Sequence, residues 1–144
     1  LTSLLDVNVL IALVDRYHVH NRSADRWFAG ERARRWATCP LTQNGVLRIV
    51  SGKGYENGPY GISEVAKAIR ERLTIESHEF WPDDVSLLDE SLFRLDGGVT
   101  SRTTTDVYLL GLAVRHDGCL VTFDRNIPLS TVVGAEPRHL KVVV

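Results

Sequence analysis

Ser3-Leu4-Leu5-Asp6-Val7-Asn8-Val9-Leu10-Ile11-Ala12-Leu13 is the stretch that decides the fold of this chain. Leu4 to Val7 is short and apolar on both faces, the pattern of a strand buried inside a parallel sheet. Asn8 to Val14 then turns into a helix. Asp6 sits where an apolar residue would be the default. A carboxylate is expensive to bury unless it is paired, hydrogen-bonded or bound to a cation.

Two other apolar stretches carry an aspartate at their polar edge. Asp106 opens Thr105-Asp106-Val107-Tyr108-Leu109-Leu110-Gly111-Leu112-Ala113, and Asp124 closes Cys119-Leu120-Val121-Thr122-Phe123-Asp124. Each has a plain structural reading. Asp106 can complement the dipole of a helix N-terminus, and Asp124 can start the turn Asp124-Arg125-Asn126. Together, three acids at the rims of core elements suit a hard cation, because Mg2+ and Mn2+ prefer oxygen ligands.

Between these stretches the chain alternates strands and helices. Asn21 to Gly30 reads as a helix with Trp27 and Phe28 on its apolar face, and Trp36 to Cys39 as a strand stopped by Pro40. Thr42 is expected to cap a helix carrying Val46, Leu47, Ile49 and Val50. Residues 52–61 hold four glycines and one proline and read as a loop. Ser63 to Thr74 has helical spacing at Val65, Ala66, Ile69 and Leu73. Glu79 to Trp81 reads as a brief strand and Val85 to Phe93 as a short helix. Thr103 to His116 is the clearest helix, ended by Asp117-Gly118. Leu120 to Phe123 is a strand, Pro128 begins a turn or short helix, and Leu140 to Val144 is a final strand.

This alternation predicts a three-layer α/β/α domain with a mostly parallel central sheet, spanning residues 1–144 as one unit. In such sheets ligands bind beyond the carboxyl ends of the strands, where Asp6 and Asp124 fall. A length of 144 residues fits one domain with a real core. The net charge of −1 neither requires nor excludes a nucleic-acid partner, since a local basic rim can border an acidic pocket. No apolar run is long enough for a membrane span, and no secretory signal is evident at the start. Cys39 and Cys119 lack metal-ligand spacing and read as buried thiols of a reducing cytoplasm. His18 and His20 lie close together without a third ligand to complete a zinc site.

The motifs in this order resemble the PIN-domain ribonucleases, and within them the VapC-type toxins of bacterial toxin–antitoxin pairs. The stretch Leu4 to Ile11 is similar to the family's first acidic motif, Thr105 to Ala113 to its third, and Leu120 to Arg125 to its fourth. The resemblance implies a small α/β domain that cleaves RNA as an endoribonuclease with Mg2+ or Mn2+. It casts Asp6, Asp106 and Asp124 as the acids of the metal site, with Asn8 and Thr122 as polar supports. It also implies a VapB-type antitoxin packed across the early helices, and a homodimer. The family's second motif usually bears a glutamate. Here the matching position in Thr38-Cys39-Pro40-Leu41-Thr42-Gln43-Asn44 is Gln43, a neutral amide, and no Asp or Glu lies between Glu31 and Glu56 to replace it.

A nuclease also needs cations for phosphates. Arg102 and Arg125 flank the third and fourth motifs and are candidate RNA contacts. The densest basic cluster is Arg32, Arg34 and Arg35 with Trp36, which reads more simply as a solvated helix end. Tyr17, Trp27, Phe28 and Trp36 are expected mostly in the core, with room for some of them to stay exposed as a groove.

Two other classes compete. One is a PIN-like RNA- or protein-binding module with little catalysis, in which Gln43 marks a degraded site. The other is an aspartate-based phosphotransfer domain, disfavoured because no second acid follows Asp6 two residues on and no Gly-rich phosphate loop is present.

Overall fold

The computed structural model describes residues 1–31, 35–75 and 77–144. Its centre is a sheet of five short strands: β1 (Ser3–Leu5), β2 (Trp36–Thr38), β3 (His78–Phe80), β4 (Cys119–Thr122) and β5 (Leu140–Val142). They lie in the order β3-β2-β1-β4-β5 and every pairing is parallel. The expected mostly parallel sheet is therefore parallel throughout among the described residues. Five helices accompany it: α1 (Val7–Val14), α2 (Asn21–Glu31), α3 (Pro40–Val50), α4 (Ile62–Leu73) and α5 (Thr104–Arg115).

Side-chain alternation along the strands sorts the core into two halves. Leu5, Trp36 and Val121 face one side and pack with Val9, Phe28, Val46 and Val65 from α1 to α4. Leu4, Ala37 and Leu120 face the other and pack with Val107, Leu110 and Leu112 of α5. Registers Leu4↔Ala37 and Leu4↔Leu120 keep each set on its own face. A parallel sheet covered on both faces gives the three layers expected from the alternation of elements.

Two close approaches fix helix positions. A Cβ on Gly45 of α3 would fall 2.8 Å from Val7 Cγ2 at the start of α1. On α5, a Cβ at Gly111 would lie 2.1 Å from the Phe93 ring. These glycines let α3 reach the residue beside Asp6 and let Phe93 lie directly on α5.

Several local expectations need correction. Val85 to Phe93 forms turns instead of a helix. The side chains of Ser86 and Asp89 accept from the backbone N–H groups of Leu88 and Ser91, and so compete with helical bonds. Thr42 is not the residue that precedes α3. Helix α3 starts at Pro40, with Cys39 as its N-cap, and the Thr42 hydroxyl reaches back to accept from Cys39 N–H at 3.0 Å. Tyr17, expected in the core, is 67% exposed. Trp27 is half-buried, whereas Phe28 and Trp36 are buried and meet edge-on with ring centroids 5.1 Å apart. Cys39 and Cys119 lie on opposite faces of the sheet and form no disulfide; Cys39 is buried and Cys119 half-buried. Among the described residues, no helix is long and apolar enough to cross a membrane.

Candidate functional site

The strand order reverses at β1, whose neighbours β2 and β4 come from the two halves of the chain. At such switch points open α/β sheets bind ligands in a crevice beyond the carboxyl ends of the strands, here those of β1 and β4. Asp6 follows β1 directly and Asp124 lies just past β4.

Asp6 is both the N-cap of α1 and a buried acid, 4% exposed. Its Oδ1 accepts from Val7 N–H at 2.7 Å, and its Oδ2 accepts from the Thr122 hydroxyl at 2.7 Å. Thr122, the last residue of β4, also accepts from Asn8 Nδ2 at 3.2 Å and from Asp124 N–H at 3.0 Å. Asn8 Oδ1 in turn accepts from Phe123 N–H at 3.3 Å. One fully buried hydroxyl therefore ties the end of β1 to the end of β4. Asn8 and Thr122 are thus bonded to each other, and Thr122 to Asp6.

Asp106 lies in the first turn of α5. Its carboxyl is pushed up to about 7, first by burial, then by the Asp6 charge and by the hydrogen bond and charge of Asp124. Burial also raises the Asp6 carboxyl, and the Asp124 charge adds to the rise; the bonds from Thr122 and Val7 offset part of it. The Asp124 charge thus bears on both Asp6 and Asp106, and the Asp6 charge on Asp106. Helix complement and Asx turn are also real: Asp124 Oδ1 accepts from Asn126 N–H at 2.8 Å.

Gln43 stands apart. Half-buried on the first turns of α3, it donates from Nε2 to the Thr38 hydroxyl at 2.9 Å. Thr38, at the end of β2, also meets His78 Nε2 of β3 at 2.9 Å. Burial lowers the His78 imidazole below its usual range. Arg102, just before α5, and Arg125, just after Asp124, are exposed, and neither makes an ion pair or hydrogen bond among the described residues. Arg35 pairs with Glu79 instead, while Arg32 and Arg34 lie outside the described residues.

Sequence reasoning missed Thr38 and His78, and it also missed Asp83. Asp83 follows β3 at the same end of the sheet, accepting from Leu41 N–H at 3.1 Å and from the Tyr108 hydroxyl at 3.0 Å. Its signal was an acid just past a strand, the same signal that marked Asp124.

Among the described residues, no three His, Cys, Asp or Glu side chains stand arranged to grip a metal ion directly. The donors are oxygens, three of them carboxylates crowded without a cationic partner. Asp6, Asp106 and Asp124 could hold a hydrated cation, one that keeps several waters and binds only one or two carboxylates directly.

Comparison with known proteins bears on the family and the fold. The family model of the PIN domain matches residues 3–130. The chain belongs to the PIN-domain family. It is 42% identical over 138 residues to Ribonuclease VapC44 of Mycobacterium tuberculosis, covering 96% of each chain. It is 39% identical over 134 residues to Ribonuclease VapC39 of the same species, covering 93% of this chain and 96% of the other. The crystal structure of M. tuberculosis VapC20, described as a Sarcin-Ricin loop cleaving toxin, superposes with a TM-score of 0.64. That match covers 94% of this chain and 100% of the other at 13% identity, so it speaks for the PIN fold alone. The kinship places this PIN domain among the VapC-type ribonucleases.

Proposed function

We propose that this PIN domain is a Mg2+- or Mn2+-dependent endoribonuclease acting as the toxin of a pair with a VapB-type antitoxin. The observation that carries the reading is the electrostatic crowding of Asp6, Asp106 and Asp124 at the β1/β4 switch point. Such crowding without a cation is unfavourable, and a divalent ion relieves it. The names of the relatives, ribonucleases at up to 42% identity, support RNA as the substrate.

When bound, the ion would activate water and neutralise charge on a phosphodiester. The chain's own residues do the rest. Thr122 and the Val7 N–H hold the Asp6 carboxylate in one orientation. The Asp106 carboxyl, pushed up by burial and by Asp6 and Asp124, would give up its proton as the cation binds. Gln43 would contribute a neutral amide at the end of β2, where it is tied to Thr38, and Arg102 and Arg125 would meet phosphates. A homodimer and a cytoplasmic location complete the proposal.

The second reading, a binding module with little catalysis, draws support from Gln43, whose amide is engaged by Thr38. Purified protein incubated with structured RNA and Mg2+ or Mn2+ separates the two. Cleavage abolished by EDTA and by Asp6→Ala supports the enzyme. Binding without cleavage under every metal condition supports the module. Sequencing RNA ends after induction in cells, beside Asp6→Ala, would identify the target.

A further inference from the structure

The two histidines that lack a third metal partner lie on a path out of the acidic site. Phe123, whose N–H is held by Asn8 and which precedes Asp124, has its ring centroid 4.9 Å from that of His20. His20 is 5.7 Å from His18, and His18 lines a cavity of about 510 Å3. Both spacings are within the range of ring–ring contact. The opposite wall comes from Arg48 at the end of α3 and from the loop bearing Tyr55 and Asn57.

Both walls are fixed by one buried acid. Asp15, 4% exposed, accepts from Tyr17 N–H at 3.0 Å, from Asn57 Nδ2 at 2.9 Å and from the Tyr55 hydroxyl. Burial pushes its carboxyl up, but these bonds outweigh burial and hold it below the usual range. The polar tips of Tyr55 and Asn57 are thereby occupied, leaving ring and edge surfaces to line the groove.

Its chemistry favours bases over phosphates. Tyr17, 67% exposed, and Tyr55 present aromatic surface. Arg48 is exposed and makes no ion pair or hydrogen bond among the described residues. Glu56 also lines the cavity, so the groove is not a purely cationic phosphate clamp. Rings and an uncommitted guanidinium in a preformed groove suit unstacked bases, which only single-stranded nucleic acid offers.

We propose that the groove between Tyr17–Val19 and Arg48–Asn57 binds the bases of single-stranded RNA flanking the scissile phosphate, with His20 and Phe123 linking it to the acidic site. The role in cleavage rests on the nuclease reading above; binding by the groove does not.

The test is fluorescence anisotropy with a labelled oligouridylate, and with the same strand annealed to oligoadenylate, in EDTA. Tyr17→Ala, His20→Ala and Arg48→Ala are compared with Tyr17→Phe and His20→Phe, with thermal melting as the check on folding. The alanine variants are expected to bind the single strand about fivefold or more weakly, the scale of one lost stacking contact. The phenylalanine variants should bind as wild type does, and the duplex should bind poorly throughout. With metal present, the alanine variants should raise KM more than they lower kcat.

Folded alanine variants with unchanged single-strand affinity would overturn the groove. So would a wild-type preference for duplex. A third contrary outcome is a groove that answers only to a protein partner: those variants lose antitoxin binding while single-strand binding stays intact. Cleavage that persists at wild-type KM in the variants removes the groove and leaves the nuclease standing. Groove-dependent binding with no cleavage under any metal does the reverse.

Discussion

Two corners of the crevice are built on the same device and differ in what they hold. In each, a fully buried threonine hydroxyl at the end of a strand organises its neighbours: Thr122 after β1 and β4 meet, Thr38 where β2 meets β3. Thr122 gives its single proton to the Asp6 carboxylate and accepts from Asn8 and Asp124. Thr38 accepts from Gln43 and also bonds with His78 Nε2. The first corner fixes a negative charge, the second a neutral amide. The cation chemistry is therefore expected to depend steeply on the first corner and shallowly on the second.

The largest effect should come from the charge itself. Asp6→Asn keeps an acceptor for Val7 N–H, so the helix cap survives, yet RNA cleavage should fall by about a hundredfold or more. Retained activity in a gel-based cleavage assay would detach the first corner from catalysis.

Next in size is the comparison of Thr122→Val with Thr38→Val. The first strands the Asn8 and Asp124 donors and removes a donor from a buried carboxylate. It should destabilise the fold by roughly 1–3 kcal/mol, the range for buried groups left unsatisfied. Thr38→Val should do less, because half-buried Gln43 can turn to water. Urea midpoints measured side by side give the ranking, and equal losses would erase the distinction between the corners.

The acids also set a pH dependence. Burial and the neighbouring acids push the Asp106 carboxyl up to about 7 from an ordinary value of about 3.9, and Asp6 is shifted the same way. Between those limits the folded state binds more protons than the unfolded state. Stability without metal should therefore fall as pH rises from about 4 to 7 and level off above. The melting temperature should drop by a few degrees over that range. Adding Mg2+ should restore part of the loss at pH 8, and Asp106→Asn should flatten the profile. A melting temperature that climbs steadily over this window would show that other groups dominate.

The smallest effect expected is that of Gln43→Glu. A fourth carboxylate should reduce the Mg2+ concentration needed for half-maximal cleavage by up to about tenfold. Unchanged metal dependence would mean that the Thr38 tether keeps this position out of the metal chemistry.

Much of this arrangement was legible in the sequence, because burial is written in composition. Leu4-Leu5 and Leu120-Val121 could only be interior strands, and an acid at each end had to find partners. The order of the elements then placed Asp6 and Asp124 at one edge of a parallel sheet. What was hidden depended on neighbours distant in sequence. The Gln43–Thr38–His78 chain exists because Trp36 pairs with His78 and Thr38 with Phe80, a register no local pattern reveals. Val85 to Phe93 has apolar spacing suited to a helix, but Ser86 and Asp89 divert its backbone donors. Tyr17 looked like core by type, whereas its place in the turn after α1, beside the Asp15 knot, leaves its ring in solvent.

If Asp6, Asp106 and Asp124 form one cation site, calorimetric titration of Mn2+ into the protein at pH 8 should show saturable binding. That binding should weaken by about tenfold or more in Asp6→Asn, Asp106→Asn and Asp124→Asn alike. Binding that survives unchanged in all three variants, or that responds to only one of them, would contradict the single site.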